Sequence, residues 1–449
     1  MFWPSPSSPL THTQMLKQQL EERNRAPGGP SQRLPRQVTV CGGGNGAHVC
    51  AGYFAWKGIK VNVLTRRPQD WAPQINVSTE GSSWEEKGPF VGPLHRVSDD
   101  AADVVPGSDY VIIAAPANAH PALLSKVAPH LDFGARLGAL FAQGGFDWAV
   151  KHAFGPERFK RIGVMFGLQN IPWICKATKY GHSARILGPK KQLWVATYPV
   201  EAREATAREL ESMFDIPCQT LPNFLNLTLT PSNQIIHPAR YHGIFRDWDG
   251  KRTYTRTELE ARDGLTLYKG MDEYSAEWLA VLDNELQQIK LALLQRFPQL
   301  DLSFIMPIGE RIIKQYGEDV TDTSSLRRIF SSNRGYAPCL TPLKESSPGH
   351  FQPLVDSRLF WEDIPYGLVI LKNLVELLGN FPTPAIDFMI RWHQQFMGKE
   401  YLLADNQLNP RLLNETGAPN KYGIHRVEEL VETCLPLELL GYRHPRSRI

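Results

Sequence analysis

Nowhere in the 449 residues does an apolar run approach the roughly 18 residues that a membrane-spanning helix requires, so no bilayer span is expected. Cysteine is sparse as well. The six (Cys41, Cys50, Cys175, Cys218, Cys339 and Cys434) are scattered and form no C-x-x-C pair. That argues against a zinc knuckle or a disulfide framework and suits a reducing, cytoplasmic compartment. Charge imbalance is lacking too: a net +3 with histidine neutral is small for this length and gives no electrostatic reason to expect a nucleic-acid partner. The first 36 residues lack the basic-then-apolar pattern of a secretory signal and hold two Pro/Gly/Ser-rich stretches around a charged segment, Met15 to Arg25. Residues 1–36 are expected to form a flexible extension, a processed targeting segment being the alternative. No internal repeat or extended low-complexity tract occurs.

What is present is globular in kind, since 42% hydrophobic and 21% charged residues suit a folded chain. The length exceeds what one hydrophobic core organises, so two domains are expected. Val38 to Cys41 is a β-favouring run followed at once by Gly42-Gly43-Gly44-Asn45-Gly46-Ala47. A helical segment from about Asn45 to Lys57 stops near Gly58, and a second strand covers Lys60 to Leu64. Strand, glycine turn, helix and strand in this order begin a parallel βαβ unit. Asp109 to Ala115 reads as a strand covered on both faces; Arg136 to Phe141 and Ile162 to Phe166 are weaker strand candidates. A helix starts near His120 and another covers Glu201 to Phe214. Beyond residue 224 helices dominate: Ser275 to Arg296, Pro365 to Leu378 with a wide apolar face, and Pro384 to Phe396. The fold class is therefore α/β, with a Rossmann-type parallel sheet over 37–224 and a second, mainly α-helical domain over 225–449.

Gly42-x-Gly44-x-x-Ala47 fits the dinucleotide fingerprint in its G-x-G-x-x-A form, and it stands between a strand and a helix as the mechanism requires. Gly42 permits the tight turn, Gly44 lets a pyrophosphate approach the backbone, and Ala47 allows close helix–strand packing. The helix start, with Asn45 and Gly46, offers N–H groups and a partial positive charge to the pyrophosphate. The second strand ends without the acidic residue that normally holds a ribose 2′-hydroxyl; Thr65, Arg66 and Arg67 stand there instead. These arginines either face a 2′-phosphate or are solvated loop residues. The cofactor is read as NAD(H) or NADP(H).

Hydride transfer to a carbonyl or imine carbon needs a proton donor and a group that fixes that donor's tautomer. Thirteen histidines leave the choice open on physics alone. In Asn233-Gln234-Ile235-Ile236-His237-Pro238, a helix opened by Pro231 puts Asn233 and His237 on one face, and Pro238 is expected to end or kink it at His237. His237 is either an ordinary partly buried histidine or an acid/base. Asp363 in Trp361-Glu362-Asp363-Ile364-Pro365 is either a helix N-cap or a buried carboxylate that orients a histidine. Arg358 is an exposed arginine or an anion anchor.

At these residues the chain resembles the opine dehydrogenases, the octopine/nopaline dehydrogenase family, over most of residues 37 to 430. The resemblance rests on Cys41 to His48, His237-Pro238-Ala239, Trp248-Asp249-Gly250, Glu362-Asp363-Ile364-Pro365 and Gly398-Lys399-Glu400-Tyr401-Leu402. It implies reductive condensation of a 2-oxo acid, usually pyruvate, with an amino acid or taurine. The alternative is an NAD(P)-dependent 2-oxo acid/hydroxy acid dehydrogenase that uses no amine. The resemblance implies further that His237 is the acid/base and Asp363 its partner, with Asn233 beside them. It makes Arg358 a contact to the cofactor from the second domain, and Gln143 a neighbour of the oxo-acid site. Octopine-forming members carry a glutamate, before a Leu-Pro-Trp stretch, that holds a guanidinium; here Gln169 stands before Asn170-Ile171-Pro172-Trp173. Losing that carboxylate disfavours L-arginine and leaves taurine, alanine or glycine as expected donors. The expected partners are these small molecules, with no nucleic acid, no membrane and a monomeric or homodimeric chain.

Overall fold

Gln37–Cys41 (β1), Lys60–Leu64 (β2), Tyr110–Ile113 (β6), Arg136–Ala139 (β7) and Val164–Leu168 (β8) are almost wholly buried, as strands of a sheet covered on both faces must be. The structure, a computed structural model, describes residues 34–337 and 339–440. Most of the expected N-terminal extension, residues 1–33, lies outside the described residues; Arg36 N–H donates to Asp109 Oδ2 at 2.7 Å and anchors the entry to β1.

With Arg96–Ser98 (β5), Leu193–Tyr198 (β11) and Cys218–Thr220 (β12), these strands form one eight-stranded sheet of order β12-β11-β8-β7-β6-β1-β2-β5. All its pairings are parallel except β11 with β8. The register is level: Cys41 pairs with Leu64 and Ile113, Ile113 with Ala139, and Ala139 with Gly167. With β5, whose Ser98 pairs with Leu64, one edge of the sheet thus collects the carboxyl ends of six strands, where ligands bind in folds of this kind.

Asn45–Trp56 (α1) lies between this sheet and a second one, of order β4-β3-β10-β9, made of Gln74–Ser78 (β3), Phe90–Pro93 (β4), Trp173–Lys179 (β9) and Ser183–Pro189 (β10). That is why α1 is apolar all round, with Ala47 to Ala55 buried. Gly52 makes the approach possible, since a Cβ there would come 2.7 Å from Val77 Cγ2. His120–Val127 (α2), Phe146–Phe159 (α3) and Arg203–Phe214 (α4) complete the helices used below.

The chain divides into two compact units, one running to Leu227 and resuming at Val431, the other Thr228–Leu430. The sequence reading ran the second domain to the C-terminus. Instead the last segment returns to the first unit because a buried group there needs it. Asp147, in the first turn of α3, is 1% exposed, and burial pushes its carboxyl up to about 6. Thr433 Oγ1 donates to Asp147 Oδ2 at 2.5 Å, Lys151 pairs with Glu432, and Leu437 N–H donates to Glu201 Oε1.

The second unit is mainly helical: Asn233–Phe245 (α5), Glu273–Arg296 (α6), Val369–Leu377 (α7) and Pro384–Met397 (α8) carry its core. A small antiparallel sheet of Tyr254–Thr255, His350–Pro353 and Leu343–Ser347 is the β component that the sequence reading did not anticipate. Helix α5 also departs from expectation. It runs through Pro238 to Phe245 rather than ending at His237. A proline inside a helix costs one ladder bond, about 3 kcal/mol. Against this, every residue from Gln234 to Phe245 is buried, and burying a single large apolar side chain contributes about 1.5–3 kcal/mol. Burial wins.

Candidate active site

In the first unit the glycine turn sits at the carboxyl end of β1. Gly42 has φ 144°, and a Cβ there would lie 2.4 Å from the Ala114 carbonyl oxygen, so no side chain fits. Gly44 is the N-cap of α1 and makes no side-chain cap, and the helix carries no acidic residue in its first turn. The space over Gly44 is open, with nothing within 4 Å of an added Cβ. The start of α1 therefore keeps N–H groups for an anion. Ala47 is fully buried beneath the turn. Asn45 takes a structural part: its Oδ1 accepts from Ala177 N–H at 2.9 Å and ties the helix start to β9.

Thr65 and Arg66 follow β2 on the same edge. Thr65 is buried, with Oγ1 3.2 Å from the Tyr180 hydroxyl. Arg67 lies over the Tyr180 ring at 3.8 Å and 3.5 Å from Asp70. Arg66 is exposed and, among the described residues, has no charged partner. Gln143 follows β7 and Gln169 follows β8; both are buried, and Gln143 Nε2 donates to the Gln169 carbonyl at 3.4 Å.

In the second unit a different group assembles on α5. His237 Nδ1–H donates to Asp363 Oδ2 at 2.7 Å, and His237 Nε2 lies 2.6 Å from the Tyr268 hydroxyl. That hydroxyl in turn donates to Asn233 Oδ1 at 3.0 Å, one helical turn before His237. His237 and Asp363 are 4% and 1% exposed, so their bond is made out of water, where charge-assisted hydrogen bonds are strongest. Burial first, then the nearby Cys339, Asp363 and Tyr316, push the Tyr268 phenol well above its usual range, while Arg358 opposes them. The phenol is therefore held protonated.

The placement of Asp363 has two local causes. Pro365 has no N–H and cannot continue the short helix Arg358–Trp361, so the chain takes a wide turn. Asp363 N–H donates to the Arg358 carbonyl and Leu368 N–H to the Asp363 carbonyl, both i to i+5 bonds of π type. Asp363 makes no side-chain cap, so its carboxylate is left for His237. Gly367 then lets this turn press on α5, since a Cβ there would meet Gln234 Cβ at 2.4 Å. Arg358 is half-exposed, with Nε 3.1 Å from Glu362 Oε2.

Residues 220–397 match the family described as NAD/NADP octopine/nopaline dehydrogenase, alpha-helical domain. The chain is 29% identical over 411 residues to an opine dehydrogenase of Haliotis discus hannai, covering 88% of this chain and 98% of that one. It is 28% identical over 407 residues to a tauropine dehydrogenase of Arabella iricolor, covering 88% and 99%. Its fold matches a structure of octopine dehydrogenase in complex with NADH and agmatine with a TM-score of 0.78, at 25% identity over 92% of this chain and all of that one. The chain is homologous, at moderate identity, to members of the octopine/tauropine/nopaline dehydrogenase family.

Two of the segments that carry the family resemblance are architectural. Asp249 Oδ1 accepts from Lys251 and Arg252 N–H and closes a turn beneath Trp248. Gly398, at φ 63°, caps α8, and Gln394 pairs with both backbone groups of Leu402. Three side chains near the sites were given no role of their own from sequence. Tyr268 is one. Arg240, fully buried three residues after His237, donates to the carbonyls of Asp263, Thr266 and Leu267 and so holds the loop that carries Tyr268. His48 is the third: its Nδ1–H donates to the Gly44 carbonyl at 2.8 Å while Nε2 accepts from Gly181 N–H at 2.7 Å. That pair of bonds requires a neutral ring, and burial lowers its pKa accordingly, against the opposing Gly44 carbonyl.

Proposed function

We propose that this protein condenses a 2-oxo acid, pyruvate, with a small amino donor (taurine, alanine or glycine) and reduces the product to an opine at the expense of NADH or NADPH. The observation that carries this reading is the buried His237–Asp363 pair, whose imidazole has its second nitrogen turned toward further hydrogen-bonding groups. The condensation needs a proton delivered to an oxygen that leaves as water, and a histidine held in one tautomer by a carboxylate is suited to it.

The residues present fit a nicotinamide dinucleotide. Gly44 leaves open space at an uncapped helix start for the pyrophosphate, Gly42, Gly46 and Ala47 shape the tight turn around it, and Thr65 and Arg66 follow β2, on the side where an adenosine ribose would be expected. When bound, the reduced nicotinamide supplies the hydride that turns the imine carbon into a CH–NH centre. The protein's own groups do the rest. Asp363 fixes the Nδ1–H tautomer of His237 and faces the positive charge that forms on the ring. His237 drives the departure of the carbinolamine oxygen as water by giving up the proton on its Nε2 side. Burial of the pair keeps competing water away from that proton. Gln143 and Gln169, both neutral amides, offer hydrogen bonds to carboxylate or carbonyl oxygens but no counter-charge for a guanidinium. That supports a small donor over L-arginine.

The test is oxidation of NADH and of NADPH with pyruvate across taurine, alanine, glycine, lysine and arginine, with product masses measured. Amine-dependent turnover, highest with a small donor, is expected. Turnover that needs no amine would replace the condensation with simple 2-oxo acid reduction, and the highest kcat/KM with L-arginine would overturn the donor assignment.

A further inference from the structure

An imidazole has two nitrogens, and in this protein both are occupied. Nδ1 is held by Asp363 and Nε2 faces the Tyr268 hydroxyl at 2.6 Å. Any proton passing between His237 and a substrate must leave through Nε2, and Tyr268 Oη stands on that route. Tyr268 is also the more accessible of the two: it is half-buried, whereas the His237 side chain is only 5% exposed.

Tyr268 is held in place rather than resting there. Its ring stacks on Tyr336 at 4.5 Å, and Tyr336 is buried against Phe330 at 5.6 Å and Tyr316 at 4.9 Å. The backbone before it is clamped by Arg240 through the carbonyls of Asp263, Thr266 and Leu267. Its hydroxyl has a second partner in Asn233. A hydroxyl both donates and accepts, and a side-chain amide offers either an oxygen or an NH₂ group. With the Tyr268 O–H directed to Asn233 Oδ1, the phenol oxygen accepts from a protonated ring. With the Asn233 amide turned, the O–H donates to a neutral ring. The same four residues therefore accommodate both charge states of His237 without moving the tyrosine.

We propose that the Tyr268 hydroxyl is the group that hands the proton to the substrate oxygen, with His237 recharging it from behind and Asn233 holding it in line. The inference rests on the condensation reading above. The step balances. The Tyr268 O–H bond breaks as the carbinolamine oxygen gains its proton, and the His237 Nε2–H bond breaks as the phenol is re-formed. The C–O electron pair leaves with water, the nitrogen lone pair closes the C=N bond, and the imidazole ends neutral with Nδ1–H still on Asp363.

The test compares wild type, Tyr268→Phe, His237→Ala and the double variant in NAD(P)H oxidation with the best donor of the panel. Tyr268→Phe keeps the ring that stacks on Tyr336. It is expected to lower kcat by about 10²–10³, within the range for a lost general acid. Cofactor affinity and Tm should stay near wild type. Because the two groups act in series, the double variant should lose little more than His237→Ala alone. Wild type itself supplies a readout that needs no variant: the rate in H₂O/D₂O mixtures should curve as two protons move together, where a purely structural tyrosine gives a straight line. A kcat within about threefold of wild type for Tyr268→Phe, fully additive losses, or a linear solvent-isotope plot would overturn the relay. A rise in kcat/KM would show instead that the tyrosine only covers the imidazole and swings aside. Wild-type turnover without any amine sinks the condensation reading separately, and the same comparison then applies to protonation of the oxo-acid carbonyl.

Discussion

Gly367 offers a way to disturb the His237–Asp363 pair, the proposed acid–base group, without touching either member. Adding one methyl in Gly367→Ala would put a Cβ 2.4 Å from Gln234 Cβ and 2.6 Å from Gln234 Cγ. Carbon atoms pack at about 3.5 Å or more, so the turn and α5 must separate by about 1 Å. Gln234 is the near end of its side chain and cannot swing clear. The separation falls between the two elements that carry Asp363 and His237, four residues before Gly367 and three after Gln234. Their bond, now 2.7 Å, would open to about 3.7 Å, beyond hydrogen-bond reach. A misplacement of about 1 Å costs on the order of 10²-fold in rate, and overpacking of this kind costs about 1–3 kcal/mol of stability, less than the whole. We therefore expect Gly367→Ala to remain folded, with Tm lowered by several degrees, kcat down about 10²-fold and cofactor affinity little changed. Steady-state kinetics, thermal melting and a fluorescence titration with NAD(P)H measure the three quantities. Gln234→Gly in the same chain removes the opposing Cβ and should restore most of the lost kcat. Activity of Gly367→Ala within threefold of wild type would refute the claim that this close approach sets the pair.

Two further outcomes follow from the first unit. The exposed Arg66, which has no charged partner among the described residues, and the absence of an acid at the end of β2 favour a 2′-phosphate, so kcat/KM should be higher with NADPH than with NADH, and Arg66→Ala should erase the preference by raising the NADPH KM about tenfold. Equal kcat/KM for both cofactors in wild type would dispose of this assignment. His48→Ala should cost about 1–3 kcal/mol, because it leaves Gly181 N–H without its partner and takes one of two donors from the Gly44 carbonyl, which keeps the backbone N–H of residue 48. Since His48 is held neutral, with its folded pKa below the ordinary value, its contribution is complete above about pH 6.5 and is lost as the pH falls below that. The Tm gap between wild type and His48→Ala should accordingly narrow from pH 7.5 to pH 5; a gap that stays constant or widens contradicts the neutral clamp.

The elements legible in the sequence are those whose burial is uniform. β1, β6 and α1 are buried on every face, so their apolar runs and the intervening glycines announce them. The second sheet of the first unit gave no such signal: β9 is Trp-Ile-Cys-Lys-Ala-Thr-Lys and mostly solvent-facing, and it becomes a strand only by pairing with β10. Pro238 misled because local propensity counts one lost ladder bond and cannot count a helix buried along its whole length. His237 and Asp363 stood out through the family motif, yet their pairing spans 126 positions and has no local trace. Tyr268 and Arg240 were invisible for the same reason. Nothing in Leu267-Tyr268-Lys269 marks a phenol that will meet an imidazole 31 residues earlier.

His237, Asp363, Tyr268 and Asn233 are all drawn from Thr228–Leu430, whereas the glycine turn, Thr65 and Arg66 belong to the other unit. On the roles proposed above, nucleotide choice and proton handling are therefore written in separate stretches of the chain. A redesign that trades one nicotinamide currency for the other can be confined to the loop after β2, leaving the protonation apparatus as it stands.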